Sequence, residues 1–178
     1  MHQLSSEDAD VEVVWRAFEL RPDPVPTLDP QGEYLQRAWQ GSVYPLAARL
    51  GMTMKLPPVQ PRSRLAHQAA HWARQQGRFD EYNEAVFRAF FERGENIGES
   101  DVLVNLAHRL NLDGEGLRDA LDSREYESSV LSDEQQAQSL GIGGVPAFVA
   151  GRRTMLSGVQ PVEALKELVA STRQDRPG

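Results

Sequence analysis

The sequence predicts an α/β fold in which a small sheet is interrupted by a long helical segment. A glycine cluster at Gly141–Gly144 runs into Val145-Pro146 and then into the apolar run Ala147–Ala150, a pattern typical of a sharp loop that leads into a buried strand. Upstream of this loop, residues 62–140 place apolar side chains at the three- and four-residue spacing of helices. The chain therefore combines strand and helix patterns in separate stretches.

The N-terminal part is predicted to contribute one strand and a broken helix. Val11–Phe18 is rich in β-branched and aromatic residues with partial alternation, which is typical of a strand. Arg21–Pro30 holds four prolines and predicts an extended connector, because proline removes backbone donors and restricts the preceding residue. Glu33–Leu50 has a helical composition but is interrupted by Gly41 and Pro45, so we expect one broken helix or two short ones.

The middle of the chain is predicted to be almost wholly helical, from residue 62 to residue 140. Ser100 is a residue type favoured at helix N-caps, and Asp113–Leu121 predicts a shorter helix. Ser132–Gln135 fits a capping box at the start of a last helical segment. That segment is expected to end at Gly141, because glycine is the usual residue at a helix C-terminus.

The C-terminal part predicts a β-hairpin followed by a helix. Ala147–Ala150 and Thr154–Ser157 are short strand patterns separated by a turn that begins at Gly151. Pro161 stands where a first helical residue belongs, and Val162–Val169 carries an apolar side at helical spacing. The order of elements is therefore strand, long helical insertion, strand, strand and helix.

The Val145–Pro146 bond is expected to be cis. Proline is normally confined to the first residue of a strand, an edge or a bulge, and its tertiary amide lowers the cis penalty to roughly 0.5–1 kcal/mol. We divide the chain at residues 60 and 140. On this division, residues 1–60 and 141–178 form the two parts of a sheet domain, and residues 61–140 form a helical insertion domain.

The net charge, hydropathy and cysteine count of the sequence exclude several classes of function. The net charge of −7 argues against a general nucleic-acid or anionic-membrane binder, which needs a basic surface. No apolar window is long enough to span a membrane, and the first ten residues carry no signal-peptide core, so a cytoplasmic location is expected. The absence of cysteine excludes disulfides, thiolate metal sites and a cysteine nucleophile within these 178 residues.

Three segments carry a resemblance to a known family. They are Val11–Leu20, Ser63–Ala73 with its paired histidines, and Gly143–Phe148 followed by Leu156–Pro161. In this order they resemble the second strand, the start of the helical insertion, and the cis-proline loop, hairpin and last helix of the DsbA-like thioredoxin family, in particular its cytoplasmic FrnE-like branch. The resemblance implies a thioredoxin-like sheet, with its first strand and first helix missing here, and a large all-helical insertion.

The same resemblance implies a lineage of protein disulfide oxidoreductases. Proteins of this family oxidise, reduce or isomerise disulfides with a Cys-x-x-Cys motif that faces the cis-proline loop. That motif would lie upstream of Val11, where this sequence has ten residues and no cysteine. We therefore expect a redox-inactive chain with no catalytic residue, no metal and no cofactor.

Gly144, Val145 and Pro146 are the predicted substrate-binding residues. The backbone N–H and C=O of Val145 would pair with an extended peptide or protein substrate by strand addition. The alternative is a proline needed only for a tight turn into a core strand.

His67 and His71 are candidates for residues adjacent to this site. They lie four residues apart and share one helix face, but the segment lacks the further ligands that a metal site needs. The simpler interpretation is a pair of half-buried packing histidines. Nearby arginines form a basic patch that could hold an anion, although a solvated face is the simpler interpretation; these are Arg62, Arg64, Arg74 and Arg78.

Two further functions stay open. One is a relative of the kappa-type glutathione transferases and hydroxychromene-carboxylate isomerases, which use a serine near the first helix; Ser5 and Ser6 are the candidates in this sequence. The other is a non-catalytic peptide-binding module, which could form a homodimer through the open edge of its sheet.

Overall fold

The computed structural model describes Leu4, residues 8–151 and residues 154–174, and the fold is given for these residues only. Eight α-helices, one π-helix and two strands have defined bounds in this part of the chain. In chain order they are α1 (Glu33–Ala38), the π-helix (Trp39–Val43), α2 (Tyr44–Arg49), α3 (Arg64–Gln75), α4 (Phe79–Phe91), α5 (Ser100–Arg109), α6 (Gly114–Asp122), α7 (Glu127–Ser139), β1 (Ala147–Ala150), β2 (Thr154–Ser157) and α8 (Val162–Gln174).

The chain divides into two compact units. The sheet unit comprises Met1–Leu20 and Asp133–Gly178, and the helical unit comprises Arg21–Ser132. The predicted division at residues 60 and 140 differs from this, because residues 21–60 group with the helices. In the helical unit the Lys55 N–H donates to the Phe91 carbonyl at 2.7 Å, and the Trp39 and Phe91 rings lie 6.2 Å apart. Residues 39–55 are thus held to α4 by aromatic packing and a backbone hydrogen bond.

The sheet unit is built on the predicted hairpin and C-terminal helix, both of which the structure confirms. β1 and β2 are antiparallel, with Phe148 opposite Leu156. Both of these side chains are half-buried, and α8 packs against both strands. Leu165 and Leu168 are the buried residues of α8. Pro161 precedes this helix, and its carbonyl accepts the Leu165 N–H at 3.4 Å.

The predicted strand at Val11–Phe18 is wrong. No described residue pairs with this segment as a strand, and the described sheet has only β1 and β2. A β-strand needs a neighbouring strand to accept its backbone N–H groups. At Ala17 a buried carboxylate is the acceptor instead. Asp133, which is 2% exposed, accepts the Ala17 N–H at 2.9 Å and the Arg16 guanidinium at 3.0 Å.

Helices α3 to α7 confirm the predicted helical run between residues 62 and 140, and the part of this run up to Ser132 belongs to the helical unit. Its core is formed by α3, α4, α5 and α6, and its largest fully buried side chains include Tyr82, Leu103, Leu106 and Leu117. The Tyr82 hydroxyl donates to the Leu103 carbonyl at 2.9 Å, which ties α4 to α5. The helical pattern predicted for residues 33–50 is interrupted as expected, since the π-helix contains Gly41 and α2 has Pro45 in its first turn.

Two predicted helix caps are wrong, and one helix start is confirmed. Ser100 is the first helical residue of α5, with Glu99 at the N-cap and no side-chain capping bond. Ser132–Gln135 lies inside α7 rather than at its start, because that helix already begins at Glu127, after the turn at Arg124. Asp113 does cap α6, since its carboxylate accepts the Gly116 N–H at 2.9 Å.

Replacing Asp133 with alanine should destabilise the protein. The Asp133→Ala variant would leave the buried Ala17 N–H without an acceptor, which costs about 1–3 kcal/mol of unfolding free energy. Urea denaturation followed by circular dichroism measures this loss. Arg16→Ala is the control: it keeps the acceptor of the Ala17 N–H, and the Arg16 side chain is 54% exposed, so we expect a smaller loss than for Asp133→Ala. Equal losses in the two variants would contradict the role given to the carboxylate.

Tyr82→Phe should cost about 1 kcal/mol near neutral pH, because it removes the bond to Leu103. Burial raises the pKa of Tyr82, so the folded state keeps a proton that the unfolded state loses above about pH 10. Stability of the parent chain should therefore fall as the pH rises beyond that point, and the phenylalanine variant should lack this part of the fall. Urea titrations at neutral and alkaline pH test it; a stability difference that stays constant with pH would count against it.

Candidate functional site

The loop between α7 and β1 begins with a glycine-terminated helix end. Gly141 has a φ of +71°, its N–H donates to the Gln138 carbonyl at 3.0 Å, and the Ile142 N–H donates to the Ala137 carbonyl at 2.9 Å. These two bonds form a Schellman motif, in which a left-handed residue satisfies the last carbonyls of the helix. The predicted helix stop at Gly141 is therefore confirmed, and it directs the chain into the loop.

The other end of the loop is fixed to the hairpin. The Val145–Pro146 peptide bond is cis, and the Pro146 carbonyl accepts the Gly158 N–H at 2.8 Å. Gly158 follows β2 with a φ of +78°, a conformation that side chains disfavour. Pro146 lacks an N–H, so its carbonyl is the backbone group with which it bonds to the hairpin.

Val145 is the accessible point of the loop. Its side chain is 50% exposed, and neither its N–H nor its C=O makes a backbone hydrogen bond within the described ranges. Gly143 and Gly144 leave the surroundings open, because a Cβ at either position would meet no atom within 4 Å. The three predicted site residues, Gly144, Val145 and Pro146, thus lie together on an accessible surface, where the N–H and C=O of Val145 have no backbone partner among the described residues.

The electrostatics of the loop suit an uncharged ligand. Residues 142–151 contain no charged side chain, although the chain as a whole has a net charge of −7. Polypeptide backbone is such a ligand, since it presents alternating donors and acceptors without charge. Accessible backbone groups of this kind are the ones that strand addition uses, and these ten residues include no nucleophile and no general acid or base.

The predicted histidines lie in the other unit. His67 and His71 are half-buried on α3, which agrees with packing residues. Within the described ranges, no group of three or more histidine, aspartate or glutamate side chains could hold a metal ion. Because the loop belongs to the sheet unit, the adjacency of these histidines to it stays a prediction. Ser5 and Ser6 lie outside the described residues.

The arginines of the predicted basic patch have local partners in the helical unit. Arg62 forms an ion pair with Asp23 at 2.7 Å, and the Arg74 guanidinium lies 4.4 Å from the centroid of the Phe79 ring. A cleft of about 370 Å³ is bordered by Arg74, Gly77, Arg78, Phe79, Asp80 and Glu81. Arg78 is itself engaged, because its guanidinium binds Glu81 and the Leu110 carbonyl. These contacts engage Arg62, Arg74 and Arg78 within the helical unit, which agrees with the simpler interpretation of a structural, solvated face.

Sequence reasoning missed Gly158 and Asp133. Gly158 fixes one end of the loop, because its N–H donates to the Pro146 carbonyl. The sequence feature that could have indicated this is a glycine directly after a strand pattern. Asp133 gave no such signal, since an aspartate in a polar helical stretch is usually exposed.

Another contact joins the two ends of the sheet unit. Arg173 binds Asp8 at 3.0 Å, and this hydrogen bond lowers the pKa of the Asp8 carboxyl.

Comparison with known proteins places this arrangement in a family. The model of the DSBA-like thioredoxin domain matches residues 1–170 of the chain. The chain belongs to the DsbA-like thioredoxin family. The hairpin, the loop that ends in Pro146 and the terminal helix are thus the C-terminal part of a DsbA-like domain, here in a chain without cysteine.

Two relatives illustrate the similarity. The uncharacterized protein YwbO of Bacillus subtilis strain 168 is 35% identical over 171 residues, which cover 94% of this chain and 85% of that protein. The crystal structure of the probable DsbA oxidoreductase SCO1869 from Streptomyces coelicolor matches with a TM-score of 0.82 at 26% identity. The match covers 99% of this chain and 83% of that one. In the described part of this DsbA-like chain, none of the helices is both long and apolar enough to cross a membrane.

The loop glycines should respond differently to alanine. Gly141→Ala should destabilise the protein by about 1 kcal/mol or more, because it forces a side chain into left-handed backbone. Gly144→Ala should be neutral or slightly stabilising, since its Cβ meets open space and its φ is not in the left-handed region. Thermal and urea unfolding of the two variants provide the test. If Gly144→Ala proved the more damaging, the open loop described here would be wrong.

Proposed function

We propose that this chain is a FrnE-like member of the DsbA lineage that binds extended polypeptide at Val145 and carries out no thiol–disulfide exchange of its own. The observation that carries the proposal is that the N–H and C=O of Val145 make no backbone hydrogen bond in the part of the chain that the structure describes, on a loop whose glycines border open space. A cytoplasmic location belongs to the same proposal.

The chemistry supports the separation of binding from catalysis. Thiol–disulfide exchange begins with attack by a thiolate on a disulfide sulfur, and these 178 residues contain no cysteine. Without a thiol, no mixed disulfide with a substrate can form on this chain. Binding needs no sulfur, because strand addition uses only backbone groups and the side chains beside them.

The loop geometry supports an extended rather than a helical ligand. A helix satisfies its own backbone groups, whereas an extended segment presents N–H and C=O groups that can bond to Val145. The exposed Val145 side chain would lie beside the apolar residues of such a segment. Unfolded polypeptide with apolar side chains is therefore the substrate class that fits.

The expected absence of thiol–disulfide exchange activity is tested by oxidative refolding of a reduced, disulfide-containing protein in a glutathione buffer. We expect the refolding rate with this chain to equal the rate in buffer alone, while an active DsbA protein in a parallel reaction accelerates it. Catalysed refolding or isomerisation by this chain would overturn the redox-inactive assignment.

Binding is tested with a fluorescently labelled, reduced and carboxymethylated protein that cannot refold. We expect saturable binding by fluorescence anisotropy, weakened about tenfold or more in Gly144→Leu, because the added side chain occupies the open space beside Val145. Gly41→Leu is the matched control, since Gly41 also faces open space and lies in the helical unit. Equal affinity in the two variants would contradict docking at the loop.

A further inference from the structure

The charges of the chain are unevenly distributed along the sequence. Residues 34–79 contain seven Lys or Arg and no Asp or Glu, although the whole chain has a net charge of −7. Within this stretch, Arg62 and Arg78 form ion pairs with carboxylates that lie outside it. The side chains of Arg49 and Lys55, in contrast, form no ion pair and no hydrogen bond with any other described residue. These two cations are therefore available to a partner.

Exposed apolar side chains lie beside these two cations. Leu50 and Met52 are each 55% exposed and stand between Arg49 and Lys55 in the sequence. The exposed Tyr44 lies at the same place, because its hydroxyl accepts the N–H of the residue that follows Lys55, at 3.1 Å. Single exposed apolar residues are common, but an apolar surface with polar residues at its rim is typical of an interaction site. We call these five residues the Leu50 patch.

Backbone hydrogen bonds hold the segment that carries the Leu50 patch. The Met52 N–H donates to the Ala47 carbonyl at 2.9 Å at the end of α2, and the Lys55 N–H donates to the Phe91 carbonyl of α4 at 2.7 Å. Gly51, with a φ of +65°, allows the chain to turn between them. Because these N–H groups are already bonded, the surface offers side chains to a partner rather than the edge of a strand.

We propose that the Leu50 patch binds an acidic amphipathic helix of a partner protein. A helix satisfies most of its own backbone groups, so it needs only side-chain contacts from the surface that it binds. Its apolar stripe would cover Leu50 and Met52, and its carboxylates would pair with Arg49 and Lys55. This inference goes beyond the proposed function, because it concerns the helical unit rather than the loop at Val145.

The charge distribution favours a short acidic helix over a nucleic acid or a membrane. All 26 acidic residues lie outside residues 34–79, together with 12 of the 19 basic ones. A long nucleic acid or a broad anionic membrane would meet this excess of negative charge, whereas a short helix covers only the patch. Two cations also fall short of the roughly four to eight basic residues that are typical of lipid-binding clusters. The exposed leucine and methionine fit the apolar stripe of a helix.

Fluorescence anisotropy with a designed peptide tests the proposal. The probe is a labelled helix of about 18 residues, or roughly five turns, with leucine along one face and glutamate on both sides of it. We expect saturable binding that Met52→Asp weakens about tenfold or more, because the new carboxylate repels the glutamates. Val25→Asp is the matched control, since Val25 is also an exposed apolar residue of the helical unit. Equal affinity of the two variants would overturn the proposal.

A pair of double variants tests the role of the two cations. Arg49→Gln with Lys55→Gln should weaken peptide binding about tenfold or more, and added salt should then weaken it less than in the parent chain. Arg109→Gln with Arg118→Gln is the control, because it removes the same charge from α5 and α6. Circular dichroism checks that each variant keeps the native fold. The same affinity in both double variants would contradict pairing at Arg49 and Lys55.

Other probes supply the opposing outcomes. Tighter binding of a labelled single-stranded oligonucleotide, or of phosphatidylserine vesicles, than of the acidic peptide would overturn the proposal. So would equal affinity for a peptide with lysine in place of glutamate. Gly144→Leu should bind the acidic peptide as the parent chain does, and a loss in that variant would place the peptide at the loop instead of the Leu50 patch. A chain that binds the acidic peptide but not unfolded polypeptide removes only the proposed function.

Discussion

The hydrogen bond from the Gly158 N–H to the Pro146 carbonyl sets the geometry on which the candidate site depends. It fixes the register of the hairpin, and the register decides which backbone groups of β1 face β2 and which face outwards. It also holds one end of the loop, while the Schellman motif at Gly141 holds the other. Val145 lies between these two fixed points, which explains how an exposed residue whose backbone groups have no backbone partner among the described residues can keep a defined position.

The helical unit and the sheet unit are stabilised in different ways. The helical unit has a core of interlocking apolar side chains, with the Tyr82 hydroxyl as its buried polar link. The sheet unit has a smaller set of buried residues and relies on polar contacts between segments far apart in the chain. Asp133 holds the backbone at Ala17, and Arg173 holds Asp8. These contacts hold the N-terminal segment, which pairs with no strand among the described residues.

On our proposal, a DsbA-like scaffold without cysteine separates polypeptide binding from thiol–disulfide exchange. The loop, the hairpin and the terminal helix are present, and so are the backbone groups that an extended chain could use. The sulfur atoms that would make or break disulfides are absent from these 178 residues. Binding through backbone groups and reaction through a thiolate depend on different atoms, which is why the proposal treats them separately.

The sequence alone determined the hairpin, the terminal helix, the helical run and the loop residues Gly144, Val145 and Pro146, because periodicity, glycine and proline act locally. It failed at Val11–Phe18, whose composition favours a strand but which has no strand beside it among the described residues. It also misplaced the start of α7 and gave no sign that Asp133 is buried. Strand pairing, the burial of a carboxylate and the direction of outward backbone groups depend on partners distant in the chain, and only the tertiary structure decides these.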